Sequence, residues 1–177
     1  MTARRRNCVT LALVNNKGGV GKTTSAVSLA AGLVAEGRRV LLVDLDAQGS
    51  ASLSVGLTRP ELRPGTAEVM LEGWPIRTAV RPSYVEGLDV LPGSMDLASA
   101  DLFLSDVQGR ETVLRGALGP VLGDYDFAVL DCPPSLGLLT VNALTAADFF
   151  LVPVTPDYLA LEGLVNLLDA VERIRKG

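Results

Sequence analysis

The chain has 177 residues, 48% of them apolar, with 20 acidic and 16 basic side chains, no histidine and a net charge of −4. That length suits one domain burying roughly 70% of its unfolded surface, and the acidic balance excludes a surface that holds nucleic acid by overall charge alone. No stretch approaches the ~18 apolar residues of a membrane helix. The two cysteines, Cys8 and Cys132, lack metal-type spacing and are expected as thiols rather than as a disulfide.

Residues 1–7, with Arg4-Arg5-Arg6, read as a basic tail. The apolar run Cys8-Val9-Thr10-Leu11-Ala12-Leu13-Val14 is too short for a secretory leader and ends in Asn15-Asn16-Lys17 without a cleavage-type site, so it is read as a first strand over 8–14. Next comes Lys17-Gly18-Gly19-Val20-Gly21-Lys22-Thr23-Thr24, a glycine-rich loop between a strand pattern and a helical one. Such a loop lets backbone N–H groups converge on phosphate oxygens, aims Lys22 at the terminal phosphates and sets the Thr23 hydroxyl for Mg²⁺. The implied ligands are a nucleoside triphosphate and Mg²⁺. Where the strict phosphate-loop pattern begins with glycine this chain has Asn16, expected to close the turn through left-handed backbone angles, which asparagine tolerates.

A helix is predicted over 22–36, with Ala26, Leu29, Ala30 and Leu33 at helical spacing and Gly37 as its stop, so that its N-terminus faces the phosphates. The second strand, 39–44, carries Asp44 and Asp46 to the strand end where ligands bind in open α/β sheets. Alternation sends both carboxylates to one side, and a neighbouring cation would relieve their repulsion. For each acid the alternative is a cap on the following turn. Residues 57–87, interrupted by Pro60, Pro64, Gly65, Gly73, Pro75 and Pro82, read as a connector with helical turns at 66–71 and 76–80. A strand at 88–91 and helices at 96–104 and 110–122 lead to a strand at 126–131. There Phe127-Ala128-Val129-Leu130-Asp131 ends an apolar run in an acid suited to receive hydrogen bonds from metal-bound water and Thr23. Cys132 beside it reads as a small buried side chain.

A helix at 136–147, a strand at 149–154 and a helix at 158–175 complete the pattern, the last with Leu161, Leu164, Val165, Leu168, Val171 and Ile174 as a packing face. Apolar runs alternating with helical patterns predict an α/β fold, a mostly parallel sheet with helices on both faces, in a single domain over 1–177.

Lys17, standing in addition to Lys22, resembles the deviant Walker A loop of the ParA/MinD ATPases. The segment Asp44-Leu45-Asp46-Ala47-Gln48-Gly49 resembles their switch I, and Asp131-Cys132-Pro133-Pro134-Ser135-Leu136-Gly137 resembles the Walker B and switch II region of Soj/ParA partitioning proteins. The similarity runs through 8–175, with Ala47 and Cys132 where proline and threonine are common. It implies a P-loop NTPase-like fold and an ATP hydrolase with ATP and Mg²⁺ as cofactors. Lys17, Lys22 and Asp46 would be catalytic, residues Lys17, Gly18, Gly19, Val20, Gly21, Lys22, Thr23 and Thr24 would cradle the nucleotide, and Thr23, Asp46 and Asp131, with Asp44 in support, would surround the metal mainly through water.

The resemblance also implies an ATP-bound homodimer in which each Lys17 reaches the opposite nucleotide, a ParB-like centromere-binding partner that stimulates hydrolysis, nonspecific DNA binding, and a cytoplasmic, nucleoid-associated location away from membranes. Gly137 would let the switch II loop move, and Asp157 would either approach the partner's nucleotide or cap the last helix. Two alternatives stand beside this reading: a MinD-type positioning ATPase, disfavoured because the last helix offers a packing face rather than a basic lipid face, and a nucleotide-binding regulator with little turnover. The family's last sheet strands are expected to be missing, since a crossover helix normally returns to a further strand and this sequence stops at Gly177.

Overall fold

Residues 8–155, 167–169 and 171–172 are described by a computed structural model. Among them β1 (Val9–Leu13), β2 (Val40–Asp44), β3 (Arg81–Pro82), β4 (Leu88–Leu91), β5 (Phe127–Asp131) and β6 (Phe149–Leu151) form one sheet in the order β3-β4-β2-β5-β1-β6. Every pairing is parallel except β3 with β4. The helices are α1 (Lys22–Ala35), α2 (Ser50–Ser54), α3 (Thr66–Leu71), α4 (Ala100–Leu104), α5 (Val113–Leu118) and α6 (Leu138–Ala146). The α/β sheet expected from the sequence is therefore present, and both of its faces are covered.

Period-two alternation divides the core. Leu13, Val40, Leu42, Leu88, Val90 and Val129 face α1 and α2 through Ala26, Ala30, Ala51 and Val55. The intervening Ala12, Leu41, Val43, Leu91, Ala128 and Leu130 pack on the other side with Leu104, Leu114, Leu118, Leu139 and Ala143. Each fully buried leucine contributes roughly 1.5–3 kcal/mol relative to exposure, which is why β2, buried at every position, reads as an unbroken apolar run. Leu167 and Val171 join the second layer while Leu168 is 45% exposed. The predicted packing face of the last helix is thus rotated at that position. The rest of that helix, Asp157 and the arginine tail lie outside the described residues.

Helix α1 stops where expected. Gly37 has φ 75°, its N–H donates to Val34 O at 2.8 Å and the Arg38 N–H to Leu33 O at 3.1 Å, a paired carbonyl cap that needs a left-handed residue. Elsewhere the elements are shorter than the pattern suggested. The helix expected at 96–104 starts as a 3-10 turn and becomes α4 only at Ala100, and the one at 110–122 has only the core of α5 as α-helix. Besides a 3-10 turn over Arg59–Leu62, one strand and one α-helix went unforeseen. β3 is a two-residue edge containing Pro82, which cannot donate to a ladder and suits only an edge, and α2 is a serine-rich segment of poor helix propensity.

Strand order places β1, β2 and β5 side by side, with β5 in the middle. The chain leaves β1 toward β2 and β4 but returns past β1 to β6. Such a reversal is where open α/β sheets bind ligands, beyond the strands' C-terminal ends.

Candidate functional site

The loop after β1 is fixed at its start by Asn15. Its Nδ2 donates to Pro153 O at 2.7 Å, just beyond β6, and its Oδ1 accepts the Lys17 N–H at 2.9 Å. Gly19 (φ 74°) and Gly21 (φ 87°) carry the left-handed backbone, and no described non-glycine residue has positive φ. Asn16 therefore does not supply the left-handed turn expected of it. Two glycines later in the loop do so, at little steric cost. Gly21 caps α1 from outside, leaving the helix's first N–H groups without side-chain caps at an end that favours anions.

Lys22, the first residue of α1, is 7% exposed and donates from Nζ to Lys17 O at 3.1 Å. Burial lowers its pKa, opposed by the negative charge of Asp131 and Asp46. A cleft of about 270 Å³ opens beside it, lined by Gly18, Gly19, Gly21, Lys22, Thr23, Thr24, Asp46 and Pro134. Lys17 is exposed and Val20 half-buried, and neither belongs to that lining.

The acids part company. Asp44 and Asp131 are register partners at the ends of β2 and β5, and both are 0% exposed. Asp44, expected to support magnesium waters, instead spends both oxygens inside the protein: Oδ2 accepts the Ser52 N–H at 2.9 Å and its hydroxyl at 2.7 Å, and Oδ1 accepts the Asp46 N–H at 3.1 Å. Burial raises its pKa, and these donors pull against the rise. β2 ends at Asp44, yet Leu45 still donates to Asp131 O at 2.9 Å and packs with Leu41 and Val43, so the alternation expected to set Asp44 and Asp46 on one side continues past the strand end. The turn begins at Asp46, whose carbonyl accepts the Gly49 N–H at 3.0 Å, and its side chain is half-buried at the cleft.

Asp131 shows the reverse. Neither of its oxygens has a hydrogen-bond partner. Burial pushes its pKa up to about 7, with Asp44 and Asp46 adding to the rise. Thr23 and Lys22 pull the other way, though the Thr23 hydroxyl completes no hydrogen bond to either oxygen. An ionised carboxylate buried without partners is costly, and a cation beside Thr23 would remove that cost. Mg²⁺ takes one or two protein oxygens and completes its shell with phosphate and water, a demand that Asp131 and the Thr23 hydroxyl can meet. The residues present thus fit a Mg²⁺–phosphate ligand.

Three supporting groups make contacts that the sequence alone does not give. Asp101 on α4 accepts the Leu138 N–H at 2.8 Å and so caps α6 from a distant part of the chain. Gly137, expected to let the switch II loop move, has an ordinary φ of −73°; a Cβ there would lie 2.5 Å from the Asp101 carboxylate and would push that capping group aside. Asn142, fully buried, donates to Arg110 O and Leu138 O and accepts the Leu114 N–H, locking α6 to α5. Only the tertiary fold brings these groups together.

Residues 8–177 match the model of the AAA_31 family, described as an AAA domain. Among curated relatives, the sporulation initiation inhibitor protein Soj of Bacillus subtilis is 43% identical over 166 residues, covering 94% of this chain and 66% of that protein. The chromosome-partitioning ATPase Soj of Treponema pallidum is 45% identical over 172 residues, covering 95% of this chain and 65% of its own length. The chain thus spans slightly less than two thirds of these relatives. A crystal structure of cobyrinic acid a,c-diamide synthase from Mycobacterium smegmatis with bound ADP and magnesium superposes with a TM-score of 0.90 at 41% identity, over 96% of this chain and 68% of that one. With a family match covering all but its first seven residues, the chain belongs to the AAA_31 family of AAA domains, in the company of the Soj partitioning proteins.

Proposed function

We propose that the chain is the nucleotide-binding part of a ParA-type ATPase, which takes up ATP with Mg²⁺ and hydrolyses it to drive a dimerisation switch in DNA segregation. The observation that carries the reading is Asp131, a buried carboxylate without hydrogen-bond partners whose neighbours Lys22, Thr23 and Asp46 line a glycine-rich cleft. The relatives' names and the ADP and magnesium in the Mycobacterium smegmatis structure support the same choice of ligand.

In this reading the N–H groups of Gly19 to Thr24 hold the phosphate chain. Lys22 gives up the Lys17 carbonyl and turns its ammonium to the terminal phosphates. Its lowered pKa is no obstacle, because an anionic ligand favours the charged form. The Thr23 hydroxyl and Asp131 hold the metal's inner and water shells, and Mg²⁺, when bound, supplies neutralisation of phosphate charge. Asp46, half-buried and fixed by its own backbone contacts, orients the attacking water. Lys17 reaches from the exposed rim to the nucleotide of a second subunit, so that ATP joins two copies and hydrolysis parts them. Nonspecific DNA and a ParB-like centromere-binding protein are the partners, the latter stimulating turnover, in a cytoplasmic, nucleoid-associated cycle. No helix among the described residues is long and apolar enough to cross a membrane.

The test is calorimetric nucleotide binding with and without Mg²⁺, paired with ATP turnover in the presence and absence of DNA. The expected result is Mg²⁺-dependent ATP binding, lost in Lys22→Ala by 100-fold or more, and slow turnover abolished in Asp46→Ala with binding retained. ATP binding without turnover under any condition turns the reading to a nucleotide-dependent regulator. Absence of nucleotide binding overturns it.

A further inference from the structure

Asp46 stands on an unusually determined piece of backbone. Its N–H donates to Asp44 Oδ1 at 3.1 Å, its own Oδ1 accepts the Gln48 N–H at 2.9 Å, and its carbonyl accepts the Gly49 N–H at 3.0 Å. The Asp44 carboxylate that sets this turn is oriented from its far side by Ser52, through the backbone N–H at 2.9 Å and the hydroxyl at 2.7 Å. The same hydroxyl oxygen accepts the Gly93 N–H at 3.1 Å, from the loop after β4. Ser52 and Asp44 are both 0% exposed. Gly93 is pressed against the same turn: a Cβ there would lie 2.6 Å from the Asp46 carbonyl oxygen and 2.8 Å from Asp44 Cγ.

One hydroxyl therefore joins three segments, the end of β2, helix α2 and the loop after β4, at the point where Asp46 leaves the sheet. Helix α2 has poor intrinsic propensity and no acidic residue in its first turn. Its attachment to Asp44 supplies what its sequence does not.

We propose that Ser52 is a positioning residue, which acts through the buried Asp44 carboxylate and the Gly93 N–H to hold Asp46 at the cleft in the orientation that hydrolysis requires. This deepens the ATPase reading and rests on it for the role of Asp46. Ser52 and Asp44 do not touch the ligand, and their effect passes through the Asp46 backbone. A displacement of Asp46 by a fraction of an ångström to an ångström, far too small to disturb the phosphate loop, is enough to lower a rate by 10- to 100-fold.

The experiment compares the full chain with Ser52→Ala in three measurements: affinity for a fluorescent ATP analogue with Mg²⁺, single-turnover ATP hydrolysis, and hydrogen exchange of the amides over 44–52. Ser52→Ala is expected to lower the hydrolysis rate about 10- to 50-fold, to keep analogue affinity within twofold, and to release the Asp46 amide from protection while β1 and β5 stay protected. Tyr125→Phe serves as the control for destabilisation alone. It removes a 2.8 Å hydrogen bond to Asp89 remote from the cleft and should leave the hydrolysis rate of the folded protein unchanged.

Should Ser52→Ala fail to fold, Ser52→Cys carries the same expectations, since it keeps a side chain in the buried space while replacing the hydroxyl by a weak donor and acceptor. Wild-type hydrolysis rates in the variant, or affinity falling as far as the rate, overturn the proposal. A wild-type chain that binds nucleotide but never hydrolyses it sinks the ATPase reading instead. The exchange data then decide the Ser52 contact alone: an Asp46 amide still protected in Ser52→Ala overturns it.

Discussion

Asp44 and Asp131 face each other across neighbouring strands, end their strands at the same level and are equally buried, yet the fold treats them oppositely. Three donors from two segments converge on Asp44, whereas Asp131 receives none. Burial and strand position alone assign both the same role. Saturation of their hydrogen-bonding capacity separates them: a satisfied acid organises the protein, and an acid left without partners is held ready for something the protein binds.

The sharpest way to break that comparison is to remove each acid in turn. Asp44→Ala leaves the Ser52 N–H, the Ser52 hydroxyl and the Asp46 N–H without their acceptor in a dry interior, a loss of about 3–5 kcal/mol in urea unfolding. Asp131→Asn removes a buried charge that has no partner, so stability without metal should be unchanged or higher by about 1 kcal/mol, while the stabilisation that Mg²⁺ and nucleotide confer disappears. Equal destabilisation by both variants would show that the two acids are structural alike.

A pH titration of the metal-free protein gives the next largest effect. The folded-state pKa of Asp131, about 7, stands above the unfolded value, so between roughly pH 4 and pH 7 the folded chain binds the extra proton. Its stability is fully present below that window and falls as pH rises through 7. Asp44 is shifted the same way, and no histidine complicates the range. In EDTA, unfolding free energy should fall by on the order of 1–3 kcal/mol between pH 5.5 and pH 8, less in Asp131→Asn and less with saturating Mg²⁺ and nucleotide. A flat profile for the wild type would mean that Asp131 is already paired.

What could be read from the sequence follows this division. The loop Lys17 to Thr24, the strand ending in Asp131 and the helix stop at Gly37 are local patterns, in which the residues that create the feature are neighbours in the chain. Asp46 at the cleft and Asp131 buried behind it, beside Lys22 and Thr23, were legible for the same reason. The role of Asp44 was legible only as the alternative of a cap on the following turn; its reach to Ser52 was not, because Ser52 sits in a helix that propensity argues against, and Gly93, which completes the contact, comes 41 residues after Ser52. Asn16 was misread because a tolerance for left-handed angles says which residue could turn the chain, not which one does. Gly19 and Gly21 relieve it of that task. Asp101 and Gly137 form a long-range cap that no periodicity encodes.

That cap lies on the Asp131 side and supplies a smaller test. Asp101→Ala removes the one side-chain acceptor for the Leu138 N–H, a loss of about 1 kcal/mol by analogy with helix N-caps. Hydrogen exchange should locate the loosening in the segment between Asp131 and α6, with the Asp44 turn unaffected. If exchange rises equally at both places, the two halves of the site are a single cooperative unit.

The smallest effect concerns Cys132, which adjoins Asp131 and reports whether that side of the comparison is closed to water. Burial, reinforced by the negative charge of Asp131, holds its thiol far above the usual range, and its exposure is 1%. Cys8 is only half-buried, and burial with Asp148 and Asp126 nearby raises it to about 11. A thiol reagent reacts with the thiolate, so at pH 8 Cys8 should be modified slowly, faster as pH approaches 11, while Cys132 reacts only at the rate of opening. Mass spectrometry of the partly labelled native protein distinguishes the two. Labelling of Cys132 at a rate matching Cys8 would place water beside Asp131. Its unpaired oxygens would then be solvated rather than withheld for a cation, and the contrast with Asp44 would lose its meaning.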